Sequence, residues 1–123
     1  MTVNDQLHER LLAHVRGLHH SMAAVELIIA HRCWLHRTDF RERFLFTTTD
    51  FDTGTTSTCI EWTCAVDALN QHDLPCSGSE ARILRIAASI ARGVPVDLRD
   101  ALTELDTANT ALIAQAVTRA TGH

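Results

Sequence analysis

Three helix-start signals constrain this chain more than any other feature. Thr58-x-x-Glu61, Ser77-x-x-Glu80 and Asp39-x-x-Glu42 each set a short side-chain acceptor three residues ahead of a carboxylate. At that spacing the first side chain accepts from a free N–H of the first helical turn, and the Glu reaches back to the capping residue's own N–H. Apolar residues at helical spacing follow each signal, which predicts an all-α compact bundle of six to seven helices with one Thr-rich loop. A chain of 123 residues is expected to form a single domain, 1–123, with a core that needs no staple.

The spacing predicts a first helix over 5–18, with Leu7, Leu11, Leu12, Val15 and Leu18 returning to one face. A second, capped by Ser21, is expected over 22–37, with Ala23, Ala24, Leu27, Ile28, Trp34 and Leu35 on one broad stripe. Val25 and Ile29 fall on another side, and a helix apolar around most of its girth is central or sits at a subunit interface. A short helix follows over 40–46. Residues 47–58 then lose helical periodicity and become rich in Thr, which leaves a long exposed loop or a small hairpin turning near Asp52-Thr53-Gly54. The loop is the favoured reading, and the segment is expected to be the most mobile internal one. Helices over 59–71, 80–92 and 98–105 and a last one through Ala120 complete the chain; Gly93 is the stop of the third-last, and Asp97 and Asp106 cap the final two.

Several chemistries fail on residue type. There is no Lys, so every one of the 11 fixed positive charges is Arg, and Schiff-base or Walker-type chemistry has no amine to use. Asp50-Phe51-Asp52-Thr53-Gly54-Thr55 superficially looks like the nucleophile loop of haloacid-dehalogenase-type phosphatases, which also needs a later Lys and a buried preceding strand. Its inner Asp52-Thr53-Gly54-Thr55 matches the aspartic-protease triplet, whose all-β fold contradicts the helical remainder. Ser89–Leu102 has the outline of a helix-turn-helix, but Arg92 and Arg99 stand at positions that should be apolar, and Asp97 and Asp100 would repel phosphate. No catalytic residue is read.

Cys59, Cys64, His72 and Cys76 supply four borderline-soft ligands within 18 residues, the number a tetrahedral zinc takes. On one helix, however, Cys59 and Cys64 would point roughly 140° apart. Cys33-x-x-His36 faces one way but is only a pair. The four Cys are read as thiols, with no metal and no cofactor. His31 lies at the centre of the second helix's stripe and is read as a core imidazole hydrogen-bonded to a backbone carbonyl.

The one concentration of candidate binding residues is 31–43. Arg32, Arg37, Arg41 and Arg43 stand there with Trp34 and His36, and four Arg against Asp39 and Glu42 leave +2 in a chain of net charge −4. Such a segment can grip phosphate or an acidic partner. The overall negative charge argues against a general nucleic-acid surface, so a nucleic-acid partner is possible but not favoured. No positively charged segment with an apolar run opens the chain and no apolar run is long enough to span a bilayer, so a cytoplasmic location and no membrane are expected.

Residues 77–123, with Ser-Gly-Ser-Glu-Ala-Arg, Gly-Val-Pro-Val-Asp-Leu-Arg-Asp-Ala-Leu and Leu-Asp-Thr-Ala-Asn, resemble small hypothetical proteins common in actinobacterial genomes. That resemblance agrees with the missing Lys and implies no activity and no site residues. The reading is therefore a small cytoplasmic interaction or regulatory protein without catalytic activity, forming a homo-oligomer, a dimer, with a protein partner possible. Val25 and Ile29 of the second helix are expected to meet a second copy, with Glu26 and Arg32 at the rim. The alternatives are a DNA-associated regulator using 31–43 and a metal-binding protein using its His and Cys.

Overall fold

The computed structural model describes residues 3–122. Among them are seven helices and one two-stranded antiparallel sheet, so the fold is mostly but not purely helical. The helices are α1 (Val3–His14), α2 (His19–His31), α3 (Thr38–Phe44), α4 (Trp62–Asn70), α5 (Gly78–Arg92), α6 (Leu98–Ala101) and α7 (Thr107–Ala120). The strands β1 (Leu45–Thr49) and β2 (Thr56–Ile60) lie between α3 and α4. Helix α2 is the axis of the domain: α5 and α7 pack along it, α1 lies beside it, and α1 also covers β2.

The Thr-rich segment is a hairpin, which corrects the loop reading. Thr47 pairs with Thr58 and Thr49 with Thr56, and their hydroxyls meet at 2.9 and 3.3 Å. Stiff β-branched residues suit a pleated pair, and Thr58 and Ile60 anchor it in the core at 1% and 7% exposure. The turn is set by the Asp50 carboxylate, which accepts the Asp52 N–H at 2.9 Å, and by Gly54 at φ +71°. Thr58 is therefore a strand residue and not a helix cap; α4 starts at Trp62 behind Glu61, which makes no side-chain cap bond.

Of the three helix-start signals only Ser77-x-x-Glu80 forms a capping box. The Ser77 hydroxyl accepts the Glu80 N–H at 3.2 Å, and the Glu80 carboxylate accepts the Ser77 N–H at 2.7 Å. Asp39 is not a cap, because α3 already begins at Thr38; its Oδ1 accepts from the Phe40 N–H and from Arg37. Asp97 and Asp106 do cap α6 and α7, and Gly93 ends α5 in the left-handed conformation. Helix α6 spans only Leu98–Ala101, shorter than 98–105, and α1 stops at His14, so Leu18 is exposed. Leu18, not Ser21, precedes α2.

The expected helix over 22–37 is broken. Arg32 turns left-handed at φ +61°, its N–H still reaching Ile28 O at 3.4 Å, and a short 3-10 turn over Trp34–His36 follows. This reversal drops Trp34 into the core, where its ring lies 5.3 Å from Phe40, itself 5.4 Å from Phe44. The indole N–H donates to the Glu80 carbonyl at 3.0 Å, which satisfies the one polar atom of a wholly buried side chain. Val25, set aside for a second copy, is buried within the chain, and Ile29 is half-buried against the core. With α1, α5 and α7 around it, α2 needs no cover from outside.

Candidate functional site

The Arg-rich segment is divided by its own structure. The Arg37 guanidinium lies 4.9 Å over the Trp34 ring, donates to both Asp39 oxygens at 3.0 and 2.6 Å, and donates to the Pro75 carbonyl at 2.6 Å. These bonds hold the Asp39 carboxyl below the usual carboxylate range. Arg43 lies over Phe44 and reaches the Asp73 carbonyl and carboxylate at 3.1 and 2.7 Å. Both arginines thus tie the segment to the 73–75 loop. Trp34 is inside the protein and offers no surface. Arg32 and His36 are exposed and Arg41 is half-buried; none of the three makes a hydrogen bond or ion pair through its side chain among the described residues.

Behind this surface the structure joins groups that no local pattern connects. The Cys33 thiol donates to Glu80 Oε2, the capping carboxylate of α5. Burial and this carboxylate push the thiol up to about 12, so it is protonated at neutral pH and is no nucleophile. The same thiol bond and the Ser77 N–H hold Glu80 down. His31 stands nearby with Nδ1 buried and without a partner, which corrects the expected carbonyl bond; burial lowers its pKa. Among the described residues no three His, Cys, Asp or Glu side chains come together as a metal site, and Cys59 and Cys64 lie on a strand and a helix instead of one helix.

The hairpin presents a different kind of surface. Asp50 N–H donates to Thr55 O, and Glu61 N–H donates to Phe44 O, both at 2.8 Å. Alternation then directs the backbone groups of residues 44, 46, 48 and 50 toward β2, and those of Leu45, Thr47 and Thr49 away from it. Strand β1 is exposed beyond Leu45, carries no charge and no Pro, and pairs only with β2 in its sheet. Phe46, within the strand, is 51% exposed, and Phe51 is 97% exposed at the tip, between Asp50 and Asp52. An alternation reading of Phe44 to Phe46, joined to the Asp50-to-Gly54 turn residues, is the signal that marks this element.

A partly enclosed recess of about 270 Å³ lies where α1, α2, β2 and the ends of α4 and α5 meet. Leu11, Val25 and Trp62 form part of its wall, and His14, Glu61 and Arg92 stand around it. The Ser89–Leu102 stretch, by contrast, gives no recognition helix, since only the one-turn α6 follows Gly93. No family model matches the chain, and no curated protein or solved structure matches it either.

Proposed function

We propose that the chain is a small helical interaction protein that works as a homodimer, joined through the outer edge of β1. The observation that carries this reading is the open, uncharged strand Leu45–Thr49 with its outward backbone groups. Natural edge strands are guarded by Lys, Pro, a bulge or a covering element, and an unguarded one pairs with another strand. A second copy suits it because two β1 strands can pair antiparallel about Thr47, each residue type meeting the same set. In that arrangement the acidic tip of one hairpin, Asp50 and Asp52, approaches the base of the other, where Arg41 and Arg43 flank Glu42. Opposite charges there favour the antiparallel register.

Sedimentation of the wild-type chain and of two variants tests this. Thr47→Pro removes an outward N–H and spares the backbone bonds to β2, at the loss of the Thr47–Thr58 hydroxyl contact, and Thr48→Lys places a charge beside the edge with that contact intact. The wild type is expected to sediment as a dimer at micromolar concentration and both variants as monomers with native helical content. A wild-type monomer at high micromolar concentration overturns the reading.

A further inference from the structure

We propose that Cys33 and Cys76 form a reversible disulfide, a redox-dependent staple between the turn that follows α2 and the start of α5. The structure ties the chain on both sides of Cys76 to the Cys33 turn. Glu80 accepts the Cys33 thiol on Oε2, and on Oε1 it accepts the N–H of Ser77, the residue after Cys76, at 2.7 Å. From the other side, Arg37 lies over the ring of Trp34, the residue after Cys33. The same guanidinium donates to the carbonyl of Pro75, the residue before Cys76, at 2.6 Å. Cys76 is thus held between two anchors that both reach the Cys33 turn. The Glu80 carboxylate and the Arg37 guanidinium act on the titration of both thiols, and Cys76 itself raises Cys33. Cys33 is half-buried and Cys76 exposed, both as free thiols. Cys59 and Cys64 lie on β2 and α4 and, among the described residues, share none of these contacts.

The oxidant is a small-molecule disulfide of the oxidised-glutathione class. Cys76, the exposed thiol, reacts first: its thiolate attacks one sulfur of the reagent, and the other sulfur leaves and takes up a proton. Cys33 then attacks the Cys76 sulfur of the mixed disulfide, a step that the two anchors make intramolecular. Its proton already lies on the bond to Glu80 Oε2, so the carboxylate takes it up and passes it to the departing thiolate. One S–S bond of the reagent is broken and one is formed in the protein; two protein thiols are oxidised and two reagent thiols are released. A thiol that is no nucleophile toward a free reagent thus serves as the resolving partner. Neither cysteine lies in the hairpin, so the staple is independent of pairing through β1.

Oxidised glutathione is the probe, added to the full chain at mildly alkaline pH, with remaining thiols then blocked by iodoacetamide. Trypsin, which in a chain without Lys cuts only after Arg, and a protease that cuts before Asp then release each of the two cysteines alone. The expected product is peptide 33–37 joined to peptide 73–82, from a single chain lighter by two hydrogens. The oxidised chain is expected to keep its helical content and to unfold about 5 °C higher or more, an effect that dithiothreitol reverses. Cys33→Ser is expected to stop at a glutathione adduct on Cys76, and Cys64→Ser to form the staple as the wild type does. Peptide 73–82 recovered without peptide 33–37, or joined to a peptide that carries Cys59 or Cys64, overturns the proposal. So does a bond that forms only with loss of helix, or a midpoint that fails to rise. Peptide mapping reads the unaltered chain, so the test stands even where a substitution disturbs the fold.

Discussion

The thiol of Cys33 and the carboxylate of Glu80, 47 residues apart in sequence, share a hydrogen bond in which the carboxylate also caps α5. One side chain therefore secures a helix start and, with burial, keeps a neighbouring thiol protonated. The indole N–H of Trp34 donates to the Glu80 carbonyl and ties the same residue to the core.

The alkaline limb of stability follows from that bond. Cys33 is raised from 9.0 to about 12 in the folded chain, chiefly by burial and then by Glu80. A raised value makes the folded state hold its proton longer, so the contribution is full below pH 9.0 and is lost between pH 9.0 and about 12. Urea denaturation across that range is expected to show falling stability in the wild type and a flatter profile in Cys33→Ala. Cys76, raised in the same direction, leaves a residual slope in the variant.

His31 acts at the other end of the scale with the opposite sign. Its folded pKa lies below the usual 6.5, first through burial, against the opposing pull of Glu80 and Asp106. The neutral ring favours the folded state above pH 6.5, and that contribution is lost as pH falls below 6.5 through the lowered value. His31→Leu is expected to flatten this part of the acid limb. An unchanged acid profile in that variant rules His31 out as its source.

The capping box gives a stability test. Ser77→Ala removes the acceptor for the Glu80 N–H and is expected to cost about 1 kcal/mol. Equilibrium denaturation reads this directly. A midpoint equal to the wild type's means that Ser79 or water takes over the bond.

The hairpin makes a prediction about where the chain is cut. Limited proteolysis is expected to open the tip at residues 50–55 before either strand, because both strands are paired and β2 is anchored in the core. Early cleavage within Leu45–Thr49 contradicts this. Phe51→Ser, at a side chain that touches almost nothing, is expected to leave stability within about 0.5 kcal/mol.

Cap chemistry is local, which is why Ser77, Asp97, Asp106 and Gly93 were readable from the residues around them. The same spacing misleads at Thr58, because a Thr three residues ahead of Glu also occurs where a strand runs into a helix. Stiff threonines facing α1 decided for the strand, and that neighbour is distant in sequence. The break at Arg32 carries no Gly or Pro to announce it; the gain from burying Trp34 and bonding it to Glu80 outweighs a left-handed non-glycine residue. The Arg-rich segment was visible as composition, but its division into tied and untied arginines depends on Asp73 and Pro75. The recess draws on five separate elements, and no window of sequence contains it.

The position of α7 against α2 has a consequence in time. The Arg119 guanidinium meets the Glu26 carboxylate at 3.0 Å, and Ile113 and Ala116 help close the core. Until residues 107–120 have left the ribosome, the central helix, made well before them, lacks one of its walls. Completion of the fold therefore waits on α7, and a nascent chain halted before Thr107 is the form on which a chaperone finds apolar surface to hold.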